Sequence, residues 1–229
     1  MIKIIQSLDL GHDYKCWQNW GVSIYNKKWQ HVHLHQGDMD GACAVYSMMM
    51  YLISLKVLTR KQVIDLNTKF DGRVSKGRLY KEFFTENGLC RDGFYFTEIE
   101  SKLQHSFAKT VTSHAEQYDA TAKGQQKMLS AIRQSLDCDE PIMIAEVFKQ
   151  GGAHAILAIG YEERNNEITK LFCLDPGSAI PCNAYWNMVI IINQNPNSKY
   201  SHISIDSDNR SSDVYVDESL IIKRKQYGL

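Results

Sequence analysis

The sequence lacks a closely spaced cysteine pair, a net charge and a long apolar run, and each absence excludes a class of protein. Its six cysteines are scattered with no Cys-x-x-Cys pair, which disfavours a structural metal site and favours free thiols, most of them buried. Lysine plus arginine equals aspartate plus glutamate at 26 each, so the charge balance gives no reason to expect a nucleic acid or a membrane surface as partner. No cofactor is indicated.

The N-terminus also lacks a targeting signal. It has neither the apolar stretch nor the small-residue cleavage site of a secretory signal. No later stretch reaches the roughly 18 apolar residues that a membrane-spanning helix needs. We therefore expect a cytoplasmic protein, or one exported by a route without a cleavable signal peptide. The sequence leaves the oligomeric state open.

What the chain does have is an ordinary globular composition, with 44% hydrophobic residues in 229, and helical patterns before about residue 140. The run "ACAVYSMMMYLISLK", residues 42–56, is apolar on nearly every face and too short to span a bilayer, which predicts a central buried helix. Thr59 is a predicted N-cap for the next helix, which runs through "RKQVIDLNTK". Further helices are predicted at about 76–87, about 97–107 and 123–136.

Short β-branched or apolar runs follow Pro141, separated by connections too short for helical crossovers. They predict antiparallel strands within "PIMIAEVF", "HAILAIGY", "ITKLFCLD" and "NMVIIINQ", with two more at about 200–206 and 213–223. We therefore expect one α+β domain over residues 1–229, in which a helical lobe at about 34–140 packs on an antiparallel β-sheet lobe at about 141–229.

Cys43 lies where the central helix is predicted to begin. A sulfur at that position faces unpaired backbone amides and the positive end of the helix dipole, which favours the thiolate. The small residues Gly41 and Ala42 would let a substrate backbone approach, and the Cys43 amide would face a developing oxyanion. The competing interpretation is a buried cysteine that only packs.

His154 and Asp175 are predicted to lie at the same end of two paired strands. His154 opens a strand after a glycine pair, in "GGAHAILAIGY", and Asp175 ends the next strand, in "KLFCLDPG". If these strands form a hairpin, the Asp175 carboxylate would bind one imidazole nitrogen while the other faces Cys43.

The order of cysteine, histidine and acid, with the cysteine at the head of a central helix, resembles the papain-like cysteine peptidases. The run "LDCDEPIMIAEVF...GGAHAILAIGY...LFCLDPG" is similar to the bacterial branch related to the double-glycine leader peptidases, in which an aspartate orients the histidine. The similarity covers roughly residues 34–193. It implies a papain-like fold, a peptide or protein substrate, and Cys43, His154 and Asp175 as the catalytic residues.

The resemblance also implies substrate-binding residues. Gln36 takes the place of the glutamine whose amide joins the Cys43 amide in the oxyanion hole, although six residues separate the two rather than the usual five. The remaining residues expected at the substrate are small or aromatic neighbours of the three catalytic positions: Gly41, Ala42, Gly152, Ala153 and Trp186.

Several alternatives stay open at the level of sequence. A cysteine deamidase or a transglutaminase-like effector acting on a protein glutamine would carry the same three residues, because these enzymes differ in the leaving group and the acceptor. A binding module that keeps the fold without the chemistry is a further alternative. His31, His33 and His35 alternate in "HVHLHQ" as metal ligands would, but a polar strand face is the preferred interpretation.

Overall fold

Six antiparallel strands close into a barrel in the computed structural model, which describes residues 1–10, 20–24, 28–37, 41–64, 72–86, 93–181 and 184–225. The barrel strands are β6 (Ile142–Phe148), β7 (Ala153–Arg164), β8 (Glu167–Leu174), β9 (Met188–Ile191), β10 (His202–Asp206) and β11 (Ser211–Arg224). Around the ring the order is β7-β6-β11-β10-β9-β8, and β8 pairs back with β7. All six strands lie where the sequence predicts them.

The predicted antiparallel sheet closes into a ring, which the sequence does not predict. The sequence predicts hairpins between consecutive strands, but β6 also pairs with β11, with Phe148 opposite Val214 and Met143 opposite Leu220. This pairing joins segments more than sixty residues apart, and local hydrophobic periodicity carries no signal of it. A β-bulge between Val216 and Glu218 interrupts the register of β11 at this contact.

Strands before residue 140 correct the prediction of a helical N-terminal part. β1 (Ile2–Ile4) pairs with β7, and β5 (Val111–Gln117) pairs with β11. Between β1 and the first helix, a separate sheet contains β2 (Asp9–Leu10), β3 (Trp20–Ile24) and β4 (Lys28–His31). The residues of β5 are mostly polar and partly exposed, so this edge strand lacks the apolar alternation that predicts strands. The division of the chain at about residue 140 stays a prediction.

The helices agree closely with the predicted ones. They are α1 (Cys43–Ser54), α2 (Arg60–Ile64), α3 (Ser75–Tyr80), which continues as a π-helical turn (Lys81–Glu86), α4 (Phe96–Phe107) and α5 (Ala122–Asp137). The predicted cap of α2 is confirmed, because the Thr59 hydroxyl accepts a hydrogen bond from the Gln62 amide at 3.2 Å. The rest of that predicted helix, 65–69, lies outside the described residues. None of the helices within the described ranges is long and apolar enough to cross a membrane.

The central helix α1 is almost completely buried and packs against β7 and β6. Its Tyr51 is fully buried, and the Tyr51 hydroxyl accepts a hydrogen bond from the Ile222 amide of β11 at 3.0 Å. One turn nearer the start of α1, the Ser47 hydroxyl donates to the Ala155 carbonyl of β7 at 2.9 Å. These two polar contacts fix the position of α1 on the sheet within an otherwise apolar interface.

We expect Tyr51→Phe to destabilise the protein by about 1–3 kcal/mol, because the buried Ile222 amide loses its acceptor. The measurement is the free energy of unfolding in urea. Tyr200→Phe is the control, since Tyr200 is a half-buried surface residue whose ring packs beside Tyr215. Equal stabilities of the two variants would contradict the importance of the Tyr51 contact.

Candidate active site

Cys43 is the first residue of α1, and its sulfur lies against the edge of β7. The Ala155 amide points at Cys43 Sγ at 3.4 Å, while the Ala155 carbonyl accepts from Ser47, one turn further along α1. β8 pairs with β7 only from Leu157 onward, which leaves both polar groups of Ala155 for α1. The sulfur is therefore held one residue from His154 by the same contact that docks the helix.

The environment of Cys43 favours its thiolate. Burial raises the pKa of the thiol, but the hydrogen bond and positive charge of His154 and the hydrogen bonds of the Ala155 and Ala44 amides together outweigh burial. The resulting pKa lies below the ordinary thiol value. The half-buried side chain thus combines access with a low proton affinity.

His154 is the second residue of β7 and follows a tight glycine turn. Gly151 and Gly152 have φ angles of 98° and 87°, which a residue with a side chain adopts only with strain. The ring stacks on Phe148 of the paired strand, with centroids 6.5 Å apart. These contacts hold the imidazole at the end of the barrel with 17% of its side chain exposed.

The imidazole of His154 bridges the other two groups. Its Nε2 lies 2.5 Å from Asp175 Oδ1, which leaves Nδ1 as the nitrogen for Cys43. Burial lowers the pKa of the imidazole, but the Asp175 carboxylate and the Cys43 sulfur together raise it to about 10. The pKa of the imidazole therefore lies above that of the thiol, the reverse of the usual order, and this favours an imidazolium beside a thiolate.

Asp175 is 4% exposed, and its carboxylate is fully hydrogen-bonded. Besides His154, the Gly177 amide donates to Oδ1 at 2.7 Å and the Ser178 hydroxyl donates to Oδ2 at 2.6 Å. Burial alone would raise the pKa of the carboxyl, yet His154 and these two donors keep it below the ordinary value. The carboxylate is thus ionised and fixed in direction.

Two residues that sequence reasoning missed hold the backbone of Asp175. The Asp175 amide donates to Asn187 Oδ1 at 2.7 Å, and Asn187 Nδ2 donates back to the Asp175 carbonyl at 2.9 Å. His33 Nε2 also donates to that carbonyl, at 2.8 Å. Burial lowers the pKa of His33, which favours the neutral ring. An asparagine at the head of β9 gives no chemical signal in a sequence, so only coordinates reveal this support.

The histidine triplet is therefore not arranged as a metal face. His33 is buried on Asp175, whereas His35 is exposed. In the part of the chain that the structure describes, no three histidine, cysteine or carboxylate side chains are grouped as metal ligands.

Gln36 lies beside the Asp175 turn. Its amide donates to the Pro176 carbonyl at 2.8 Å, and its side-chain Oε1 is buried without a hydrogen-bond partner. Residues 38–40 of the "GDMDG" segment between Gln36 and Cys43 lie outside the described residues. The hydrogen bond to Pro176 attaches the Gln36 backbone to the residue that follows Asp175. No described contact joins Gln36 to Cys43.

A cavity of about 390 Å³ opens on Cys43 and His154. One wall consists of small side chains of β6 and β7: Ala145, Ala153 and Ala155. A second wall is the start of α4 and the segment before it: Gly93, Phe94, Tyr95, Phe96 and Glu98. Asp217 and Glu218 at the bulge of β11 form a third wall, and Ala44 lies beside the nucleophile. Of the remaining expected substrate residues, Gly41, Ala42, Gly152 and Trp186 lie outside this lining. Ala42 is fully buried, and Trp186 stacks on Phe172 at 4.2 Å.

The charges that line this cavity are acidic. Glu98 accepts from the Tyr95 amide, and the two oxygens of Glu218 accept from the Phe96 amide and Gln117 Nε2. Asp217 differs, because its Oδ1 is buried without a partner. Burial, followed by the charge of Glu218, raises the pKa of Asp217 to about 6. No lysine or arginine is among the described residues around this cavity.

We expect Cys43 to be alkylated preferentially over the exposed Cys138 by iodoacetamide, and the ratio of the two rates to rise from about pH 9 to about pH 6. The reason is that the thiolate is the reactive form and His154 preserves it on Cys43 at lower pH. Peptide mass mapping after short labelling measures both rates in one sample. In His154→Ala the rise should disappear. A ratio that does not change with pH in the unmodified protein would contradict the assigned ion pair.

Comparison with known proteins identifies the family. The sequence profile of the Peptidase_C39 like family matches residues 21–198, which include Cys43, His154 and Asp175. No curated protein matches the chain significantly. Because the profile covers well over half of the chain, the protein belongs to the Peptidase_C39 like family, a family of papain-like cysteine peptidases.

Proposed function

We propose that the protein is a cysteine peptidase that cleaves a peptide or protein amide bond through Cys43, His154 and Asp175. The observation that supports it most is the line of sulfur, imidazole and carboxylate at the mouth of a cavity. Membership of the Peptidase_C39 like family supports a peptide or protein substrate. An inert binding module gives no reason for a thiol whose pKa is lowered at an open surface.

In the first half of the reaction, the Cys43 thiolate attacks the carbonyl carbon and a C–S bond forms. The imidazolium of His154 donates its Nδ1 proton to the leaving nitrogen as the C–N bond breaks, which releases an amine and leaves a thioester. Asp175 keeps Nε2–H in place, so the ring presents Nδ1 to the reacting atoms throughout.

In the second half, neutral His154 removes a proton from water as the water oxygen adds to the thioester carbonyl. The C–S bond then breaks, a carboxylic acid leaves, and the thiolate and imidazolium are restored. The Cys43 amide at the start of α1 and the Gln36 side chain are the proposed donors to the oxyanion in both halves. The short side chains of Ala153 and Ala155 leave room for a substrate backbone beside the nucleophile.

We expect graded losses of activity from substitutions in this group. Cys43→Ala should abolish turnover, and His154→Ala should lower kcat by about 10²–10⁴, the usual contribution of general acid–base catalysis. Gln36→Ala should lower kcat by about 10²–10³ with little change in KM, since an oxyanion donor acts mainly in the transition state. Steady-state kinetics on a cleavable peptide measure these effects. An unchanged kcat in Gln36→Ala would show that the Gln36 side chain does not stabilise the oxyanion.

The same variants separate cleavage from deamidation or transamidation when substrates are analysed by intact mass. A peptidase yields two fragments whose masses sum to the substrate plus one water. A deamidase leaves the chain unbroken with a slightly increased mass, and a transglutaminase adds the mass of an amine less that of the ammonia that leaves. If the substrate stays unbroken and its mass changes only when Cys43 is present, the protein is a deamidase or a transglutaminase and not a peptidase.

We also expect the acidic cavity to favour basic substrates. A peptide with lysine near the scissile bond should have a kcat/KM roughly tenfold above its glutamate counterpart, the order of one attractive charge contact near a protein surface. The preference should grow as pH rises through about 6, where Asp217 becomes ionised. Asp217→Asn should weaken that growth, and added salt should narrow the difference. Equal rates for both peptides would show that these carboxylates do not face the substrate.

A further inference from the structure

Glu146 is a buried carboxyl group that the proposed reaction does not use. It lies on β6, is 0% exposed, and neither of its oxygens makes a hydrogen bond of normal geometry, although the Ser204 hydroxyl of β10 is near enough to lower its pKa. A buried carboxyl group with so little hydrogen bonding is unfavourable, because it has lost the hydrogen bonds of water. In the neighbouring Asp175, by contrast, both carboxylate oxygens are hydrogen-bonded.

The register of the sheet places Glu146 directly opposite His154. The two residues are Cα partners across the β6–β7 ladder, so their side chains lie on the same face of the sheet. Partners at this separation have Cα atoms about 4.5–5.5 Å apart. Because His154 uses Nε2 for Asp175 and Nδ1 for Cys43, it has no nitrogen left for Glu146. Glu146 therefore acts on the ring through its charge.

The surroundings of Glu146 leave His154 as its only cationic neighbour among the described residues. The titratable groups that face it are His154 from β7, Cys173 from β8 and Asp175 after β8. β10 contributes the hydroxyl of Ser204, and β11 contributes Val216, which is the Cα partner of Glu146 on that side. Neither of these two residues titrates.

We propose that Glu146 is a positioning residue that acts through His154, and that its ionised carboxylate extends to higher pH the range in which the imidazolium persists. This inference rests on the role of His154 in the proposed peptidase reaction. The carboxylate lies on the same face as the ring and is shielded from water, so its charge is little screened. Asp175 fixes the direction of the imidazole, whereas Glu146 contributes charge alone.

The effect of Glu146 on His154 depends on pH, because only the ionised carboxylate carries a charge. Burial raises its pKa to about 7, against the opposing effects of His154 and Ser204. Below that pH the group is neutral and contributes no charge, and above it the carboxylate stabilises the imidazolium. His154 loses its proton at about 10, where Glu146 is ionised. Removal of the carboxylate should therefore move the alkaline limit of the imidazolium and leave the acid limit of the thiolate unchanged.

The test is the titration of His154 in histidine-labelled protein, followed by NMR without any substrate. In Glu146→Gln we expect the pKa of His154 to fall by about two units, the order given by a unit charge roughly 6–8 Å away at an effective dielectric constant of about 20. Glu82→Gln is the matched control, because it removes another buried glutamate, near α4, and should leave the His154 titration unchanged. Identical titration of His154 in the unmodified protein and Glu146→Gln would overturn the inference.

A second variant and a kinetic measurement complete the test. Glu146→Leu removes the carboxyl without leaving a buried polar group, and it should lower the pKa of His154 as Glu146→Gln does. Where peptide cleavage is observed, the alkaline limb of kcat/KM should move to lower pH in both variants, and the acid limb should stay. If no peptide is cleaved by any form, the proposed function fails while the NMR titration still decides the role of Glu146. An unshifted titration in both variants rejects that role whatever the activity.

Discussion

The docking of α1 on the edge of β7 is the contact on which the site depends. Ala155 gives its amide to Cys43 Sγ and its carbonyl to Ser47, two residues on the same face of one helix. The amide and carbonyl of Ala155 are free to bind α1 because β8 pairs with β7 only from Leu157 onward. A helix that starts at a cysteine thus takes the place of a missing strand, and the sulfur comes to lie beside His154, the residue that precedes Ala155.

The closed barrel then determines the electrostatics of the three groups. Its end holds Asp175 in a turn in which every carboxylate oxygen is satisfied, and Asn187 and His33 fix the backbone behind it. Within this frame Asp175 and Cys43 raise the pKa of the imidazole, and the hydrogen bond and positive charge of His154 lower the pKa of the thiol. The same barrel confines Glu146 next to the ring, and within the described ranges His154 is the cationic group that faces it.

The sequence predicts local structure here better than it predicts long-range pairing. The helix at Cys43 and the six barrel strands follow from apolar periodicity, because each buries a continuous apolar face. The pairing of β6 with β11 and the polar edge strand β5 depend on partners far along the chain, so no local pattern reveals them. Likewise, the three residues of the candidate site are chemically conspicuous, whereas Asn187 and Glu146 acquire their importance only from what the barrel places beside them.

The central claim is that Cys43 and His154 form a thiolate–imidazolium pair in the resting protein. The most direct measurement is the ultraviolet absorbance of the thiolate, taken as the difference between the protein and Cys43→Ala across a pH series. The account predicts a thiolate band at neutral pH that is lost in His154→Ala. A band that emerges only near the ordinary thiol pKa of 9.0, with or without His154, would contradict the account.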